Sequence, residues 1–171
     1  MSRRQSVAQG IEERNSQPLV VSTSSEAETR QFAATFAKFL RAGDVVALQG
    51  DLGTGKTVFV SSVAHALSVP RDAGVRSPSY TLMNLYEGGL WPIAHLDLYR
   101  IEDEDELEAL GYRDLLDGCT LVFIEWPERV PELEGDVTWT IVLEEQSPEE
   151  RRLTLTARNE LRLAHLRAQV E

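Results

Sequence analysis

Apolar and polar positions along this chain follow two periods, and each change of period marks an element. Pro18-Leu19-Val20-Val21 reads as a short strand, and Ser25-Glu26-Ala27-Glu28 has the form of a helix capping box. Phe32, Phe36, Phe39 and Leu40 then recur at helical spacing, which predicts an amphipathic helix ending near Gly43. Asp44 to Gln49 is a mostly apolar strand. Val58, Phe59, Val60, Val63, Ala64 and Leu67 form a second helix that Pro70 stops. Val69 to Pro78 has no period and reads as a loop. Thr81 to Tyr86 and Trp91 to Asp97 predict two strands of a hairpin turned at Gly88-Gly89. Glu102 to Leu110 is a short acidic helix with Leu107, Ala109 and Leu110 inward, its carboxylates facing water and Gly111 as its stop. Thr120 to Ile124 is nearly continuous in apolar residues, as in a strand buried on both faces. Asp136 to Leu143 and Arg152 to Ala157 alternate as late strands, and Glu160 to Val170 reads as a closing helix.

This order predicts an α/β fold, a mixed sheet flanked by helices, and the glycine-rich Gly50-Asp51-Leu52-Gly53-Thr54-Gly55-Lys56-Thr57 between its second strand and second helix makes that fold P-loop NTPase-like. A ligand should then lie at the carboxyl ends of the strands. The 171 residues suffice for one domain with a hydrophobic core. We place that domain at 18–171 and read residues 1–17, polar and without period, as a disordered tail. No apolar stretch is long enough for a membrane span, and no apolar segment follows the polar start as in a secretory signal. The single cysteine, Cys119, excludes an internal disulfide; beside Leu121-Val122-Phe123-Ile124 it reads as buried or half-buried. A cytoplasmic location fits.

The candidate chemistry begins at Gly50-Asp51-Leu52-Gly53-Thr54-Gly55-Lys56-Thr57, which fills every fixed position of the phosphate-binding pattern G-x-x-x-x-G-K-[ST]. A strand precedes it and a helix follows, the context the pattern requires. A glycine-rich turn with a chance lysine would lack that setting. The glycines let backbone N–H groups turn inward around a polyphosphate. Lys56 would reach the β- and γ-phosphates, the Thr57 hydroxyl would ligate Mg²⁺, and the helix N-terminus adds partial positive charge.

Hydrolysis also needs carboxylates near the metal and the attacking water. Glu125 closes the apolar strand, where a charge without a partner would be costly. In an alternating strand, His95, Asp97 and Tyr99 share one face, so Asp97 meets a polar environment. The competing reading pairs Asp97 with Arg100 at the surface. Lys56, Asp97 and Glu125 form the candidate catalytic set, and Thr57 and Glu125 the candidate metal ligands. His95 alone reads as a hydrogen-bonded structural residue, and no second histidine stands at zinc-ligand spacing. Ser77-Pro78-Ser79-Tyr80-Thr81 occupies the place of a γ-phosphate-sensing switch, or else caps a turn.

Five motifs in this order, the phosphate loop at 50–57, Ser-Pro-Ser-Tyr-Thr-Leu at 77–82, His-Leu-Asp-Leu-Tyr-Arg at 95–100, Glu-Leu-Glu-Ala-Leu-Gly at 106–111 and Glu-Trp-Pro-Glu-Arg at 125–129, resemble the bacterial TsaE (YjeE) family. The resemblance runs from about Ser22 to Leu143. It implies an ATPase that works with TsaB and TsaD in forming N6-threonylcarbamoyladenosine at tRNA position 37. By that resemblance Thr57 and Glu125 hold Mg²⁺ and Asp97 lies on the γ-phosphate side. Trp126 lies by the nucleotide, and the region of Glu26 to Thr29 near the adenine. Two positions depart from the family pattern. Val58 replaces a second threonine, losing a hydroxyl on the α-phosphate side and keeping its backbone N–H. Ser79 replaces threonine and keeps the hydroxyl. Arg151 or Arg152 is a further candidate for phosphate contact.

The formal net charge of −11 argues against an unaided grip on a nucleic-acid backbone, so contact with tRNA would be indirect, through the partner complex. A small-molecule kinase would share the phosphate loop, but the segment 69–78 offers only Arg71 and Arg76 for a lid. A GTP switch would need an Asn/Thr-Lys-x-Asp guanine motif, which is absent. A non-catalytic adaptor would need Lys56 and dispense with Asp97 and Glu125.

Overall fold

Each apolar run at period 2 becomes a strand of one sheet. In the computed structural model, which describes residues 17–171, the strands are β1 (Leu19–Thr23), β2 (Val45–Gln49), β3 (Met83–Tyr86), β4 (Ile93–Asp97), β5 (Leu121–Glu125), β6 (Trp139–Glu145) and β7 (Arg151–Ala157). Among the described residues these seven form a single sheet in the order β1-β7-β6-β2-β5-β4-β3. β2 pairs in parallel with both β5 and β6, and β4 in parallel with β5. The outer pairs β1–β7, β6–β7 and β3–β4 are antiparallel, so the sheet is mixed. The helices are α1 (Glu26–Ala37), α2 (Lys56–Ala66), α3 (Glu104–Ala109), α4 (Tyr112–Leu115) and α5 (Glu160–Val170).

Alternation along the central strands divides the core between two faces. Leu121 and Phe123 of β5, with Val46 and Leu48 of β2, pack with Phe32 and Phe36 of α1, Phe59 and Val63 of α2, and Leu163 and Leu166 of α5. Phe36 meets Trp139 edge-on at 5.1 Å between ring centres. Val122, Ile124, Val45 and Leu96 point to the other face, under Leu98, Ile101, Leu107, Tyr112 and Leu133. By the same parity His95, Asp97 and Glu125 share the first face, the one that carries α2.

The helix starts obey the capping chemistry, with one difference. Ser25 Oγ accepts from the Glu28 N–H at 3.2 Å, as the box requires. The Glu28 carboxylate reaches one residue further than expected and accepts from both the N–H and the hydroxyl of Ser24. α1 stops at Ala37. Phe39 and Leu40 lie in the turn that follows, bonded back to Phe36 and Ala37.

Several boundaries move, each for a local reason. The acidic segment is two short helices, since Gly111 at φ +80° turns the chain and α4 resumes at Tyr112. β6 begins three residues after Asp136, because the Thr138 hydroxyl is engaged with Asp44 and with the Val45 backbone. β4 ends at Asp97, whose Oδ1 accepts from the Tyr99 N–H at 3.1 Å and turns the chain. Tyr99 therefore does not continue the alternation. Cys119 is exposed, not buried. It stands in a turn before β5, where Asp117 Oδ1 accepts from the N–H groups of both Cys119 and Thr120. The expected tail lies outside the described residues except for Gln17, whose carbonyl accepts from Arg167. Among the described residues no helix is long and apolar enough to cross a membrane.

Candidate nucleotide site

The phosphate loop lies between the end of β2 and the start of α2. Its glycines serve different needs. Gly50 has φ +136°, and a Cβ there would stand 2.3 Å from the Leu143 carbonyl oxygen of β6. The loop is thus pressed against the sheet at its first residue. Gly53 and Gly55, at φ +87° and +102°, face open space and require glycine for conformation alone. Thr54 N–H and hydroxyl both bond the Asp51 carbonyl, which closes the turn. With Gly55 as N-cap, the first turn of α2 has no side-chain cap on its N–H groups.

Lys56 is 4% exposed and folds back across the loop, donating to the carbonyls of Gly50 at 2.6 Å and Asp51 at 3.0 Å. Its ammonium also lies 4.1 Å from the centre of the Trp126 indole. Burial pushes the Lys56 ammonium below the ordinary lysine value, opposed first by Glu125 and then by Asp97. Trp126 reaches this position because its backbone is left-handed, at φ +60°, directly after β5, with its N–H on the Leu48 carbonyl. Such a conformation is uncommon for a bulky residue. Tyr99 packs against the same indole at 5.1 Å.

Glu125 is 3% exposed, and its Oε1 accepts from the Thr57 hydroxyl at 2.8 Å. The same oxygen lies 2.9 Å from Nε2 of His95, itself fully buried. Asp97 is the Cα partner of Glu125 in the parallel pairing and is 5% exposed. Its Oδ2 accepts from the Ser77 hydroxyl at 2.9 Å. These groups open into a cleft of about 440 Å³ lined by Lys56, Thr57, Ser77, Asp97, Glu125 and Trp126, among others. A second cavity of about 280 Å³ lies across the loop, between Glu26 and Thr29 on one side and Pro148, Glu149 and Arg151 on the other. Gly53, Gly55 and Val58 border both. A phosphate chain over the loop would therefore join the end that holds Asp97 and Glu125 to a separate cavity.

The family model for threonylcarbamoyl adenosine biosynthesis protein TsaE matches residues 23–153. The chain belongs to the TsaE family. It is 37% identical to the tRNA threonylcarbamoyladenosine biosynthesis protein TsaE of Bacillus subtilis, over 76% of this chain and 80% of that one. It is 41% identical to the protein of the same name from Aquifex aeolicus, over 61% of this chain and 74% of that one. The crystal structure of Bacillus subtilis YdiB superposes with a TM-score of 0.70 at 28% identity, covering 91% of this chain and 97% of that one. The P-loop NTPase-like α/β class stands on that likeness together with the mixed sheet and its flanking helices.

The TsaE-family chain brings Lys56, Thr57, Asp97, Glu125 and Trp126 around one cleft. Glu26 lies apart from them, in the second cavity, where its carboxylate accepts from Arg30 Nε. Asp97 is not paired with Arg100, whose guanidinium stacks on the exposed ring of Tyr80. Ser77 bonds Asp97, and Ser79 lines the cleft, while Thr81 turns away to Asn84. Arg151 does reach the phosphate loop, though at its backbone. Its Nε donates to the Thr54 carbonyl at 3.0 Å, and its Nη1 to the carbonyls of Ser147, Pro148 and Glu150. Arg152 is exposed on β7. Sequence reasoning missed the β6–β7 turn as a wall of the second cavity and His95 as the partner of Glu125. Both depend on long-range contacts, and only a histidine set between the apolar Ala94 and Leu96 of β4 hinted at the second.

Proposed function

We propose that this chain is an Mg²⁺-dependent ATPase that supports threonylcarbamoyladenosine formation on tRNA, together with partner proteins of the TsaB and TsaD type, in the cytoplasm. The observation that carries the proposal is the Thr57–Glu125 contact at 2.8 Å, which joins the phosphate loop to the end of β5. The names of the curated relatives support the pathway.

The donor set suits Mg²⁺. Thr57 Oγ1 and Glu125 Oε1 are hard oxygen donors side by side at the N-terminus of α2. Mg²⁺ characteristically takes one or two protein oxygens and completes its shell with phosphates and water. The chemistry a bound Mg²⁺ supplies is neutralisation of charge on the phosphate oxygens. Lys56 would leave the Gly50 and Asp51 carbonyls for the phosphates. The uncapped N–H groups of α2 would receive phosphate oxygens. Asp97, fixed by Ser77 and by the Tyr99 N–H, would orient the attacking water. Glu26 and Thr29, facing Pro148 and Glu149, would border the adenine. An acidic chain of this kind acts on a protein complex and leaves the tRNA to its partners.

The test is ATP hydrolysis with Mg²⁺, alone and with a TsaB–TsaD pair, for the wild type, Lys56→Ala and Glu125→Gln. Stimulation by the pair, absent in Lys56→Ala together with tRNA modification, is the expected result. Glu125→Gln should lower hydrolysis far more than nucleotide binding. Transfer of phosphate to a small acceptor, with no stimulation by the pair, would replace this reading with a kinase.

A further inference from the structure

We propose that His95 is a positioning residue for Glu125, holding the carboxylate in the orientation that the metal-dependent step requires. The inference rests on the nucleotide reading above and adds to it a residue outside the phosphate loop.

His95 is fully buried in β4, between apolar neighbours Ala94 and Leu96 and beside Phe123 in the pairing with β5. An apolar side chain would suit that environment. The imidazole instead brings two polar nitrogens, and only one is partnered. Nε2 lies 2.9 Å from Glu125 Oε1, while Nδ1 is buried without a hydrogen-bond partner among the described residues. A carboxylate only accepts, so the network assigns the hydrogen to Nε2. Leaving a ring nitrogen unsatisfied in the core is unfavourable, and the compensating contact in the structure is the bond to Glu125.

The geometry explains why that bond matters. Both hydrogen bonds, from Thr57 and from His95, fall on the same oxygen, Oε1. In the proposed function Thr57 is recruited to Mg²⁺, and its hydroxyl can no longer be counted on to hold Glu125. His95 is then the side chain that keeps Oε1 in place. It suits the task because its ring is enclosed by the core and its strand is paired on both sides, with β5 and β3, and a glutamate with three side-chain torsions needs such a rigid neighbour.

The experiment measures binding of a non-hydrolysable ATP analogue by calorimetry, with and without Mg²⁺, using the full chain. His95→Leu should leave metal-free affinity unchanged, since Lys56 and the loop amides are untouched. It should reduce the affinity gained from Mg²⁺ by about 10- to 100-fold, the usual cost of losing an outer-shell partner of a ligand. His95→Gln, whose side-chain N–H₂ can reach Glu125 as Nε2 does, should recover most of the gain. His95→Asn, too short to reach, should not, and this pair decides the matter if the leucine variant fails to fold. A full Mg²⁺ gain in His95→Leu or His95→Asn would overturn the inference, as would equal losses in folded Gln and Leu variants. If the wild type gains nothing from Mg²⁺, or Glu125→Gln keeps the whole gain, the metal role of Glu125 fails and the inference falls with it. Failure in the histidine variants alone leaves the ATPase reading standing.

Discussion

Replacing Gly50 with alanine separates the two reasons a phosphate loop carries glycine. The added Cβ would stand 2.3 Å from the Leu143 carbonyl oxygen and 2.9 Å from Thr54 Oγ1, at φ +136°. The obstacle is backbone of a neighbouring strand, so the loop must move by about 1 Å to reach ordinary contact distance. Conformational strain costs about 1–3 kcal/mol and overpacking about 1–3 kcal/mol more, giving about 2–6 kcal/mol in all. Gly53→Ala meets nothing within 4 Å and carries only the conformational part, at φ +87°, about 1–3 kcal/mol. For a chain of this size the difference between the variants corresponds to a Tm gap of about 2–12 °C. On the proposed ATPase reading, a loop displaced by about 1 Å from its productive position should also lose about 100-fold in ATP turnover. Urea unfolding of both variants, with steady-state ATP hydrolysis alongside, tests this. If Gly50→Ala is no less stable than Gly53→Ala and turns over ATP as fast, the reasoning from the Leu143 contact is wrong.

Other groups give independent predictions. Arg162 of α5 pairs through both Nη groups with Asp44, lies 5.0 Å from the Trp139 ring, and also bonds the Phe39 carbonyl. Arg162→Ala removes the counter-charge of the buried Asp44 carboxylate, leaving it the Arg41 N–H and the Thr138 hydroxyl, and should cost about 3 kcal/mol in urea unfolding. Nucleotide affinity should hold, because Asp44 lies at the opposite end of β2 from the phosphate loop. Tyr112 is buried, its hydroxyl on Asp136 Oδ2, and burial followed by the Asp136 charge raises its pKa well above the ordinary tyrosine value. The folded state therefore keeps the phenol proton where the unfolded chain releases it. Its contribution is complete below about pH 10 and declines above that, by up to about 1.4 kcal/mol per pH unit. Urea midpoints from pH 9 to 11 should fall less steeply in Tyr112→Phe, and equal slopes would refute the assignment.

Local order along the chain determined a good part of this protein. The run Val45-Val46-Ala47-Leu48, the glycine loop and the apolar helix after it are contiguous, so strand, loop and helix could be read from spacing alone. Glu125 stood out for a similar reason, a charge closing a strand otherwise wholly apolar. Tertiary structure decided what distant segments do to one another. Period 2 says which residues share a face of a strand, and nothing in it states that β5 lies between β2 and β4. That placement sets Asp97 beside Glu125, and with it the His95–Glu125 contact. The β6–β7 turn likewise brings Arg151 to Thr54, 97 residues away. Cys119 and Tyr99 show the limit from the other side. Each adjoins an apolar run, yet an aspartate carboxylate captures backbone N–H groups nearby and places both residues in turns. Periodicity reports burial within one element, because burial there repeats with the backbone. Side-chain contacts across elements have no period, so they emerge only once the chain is folded.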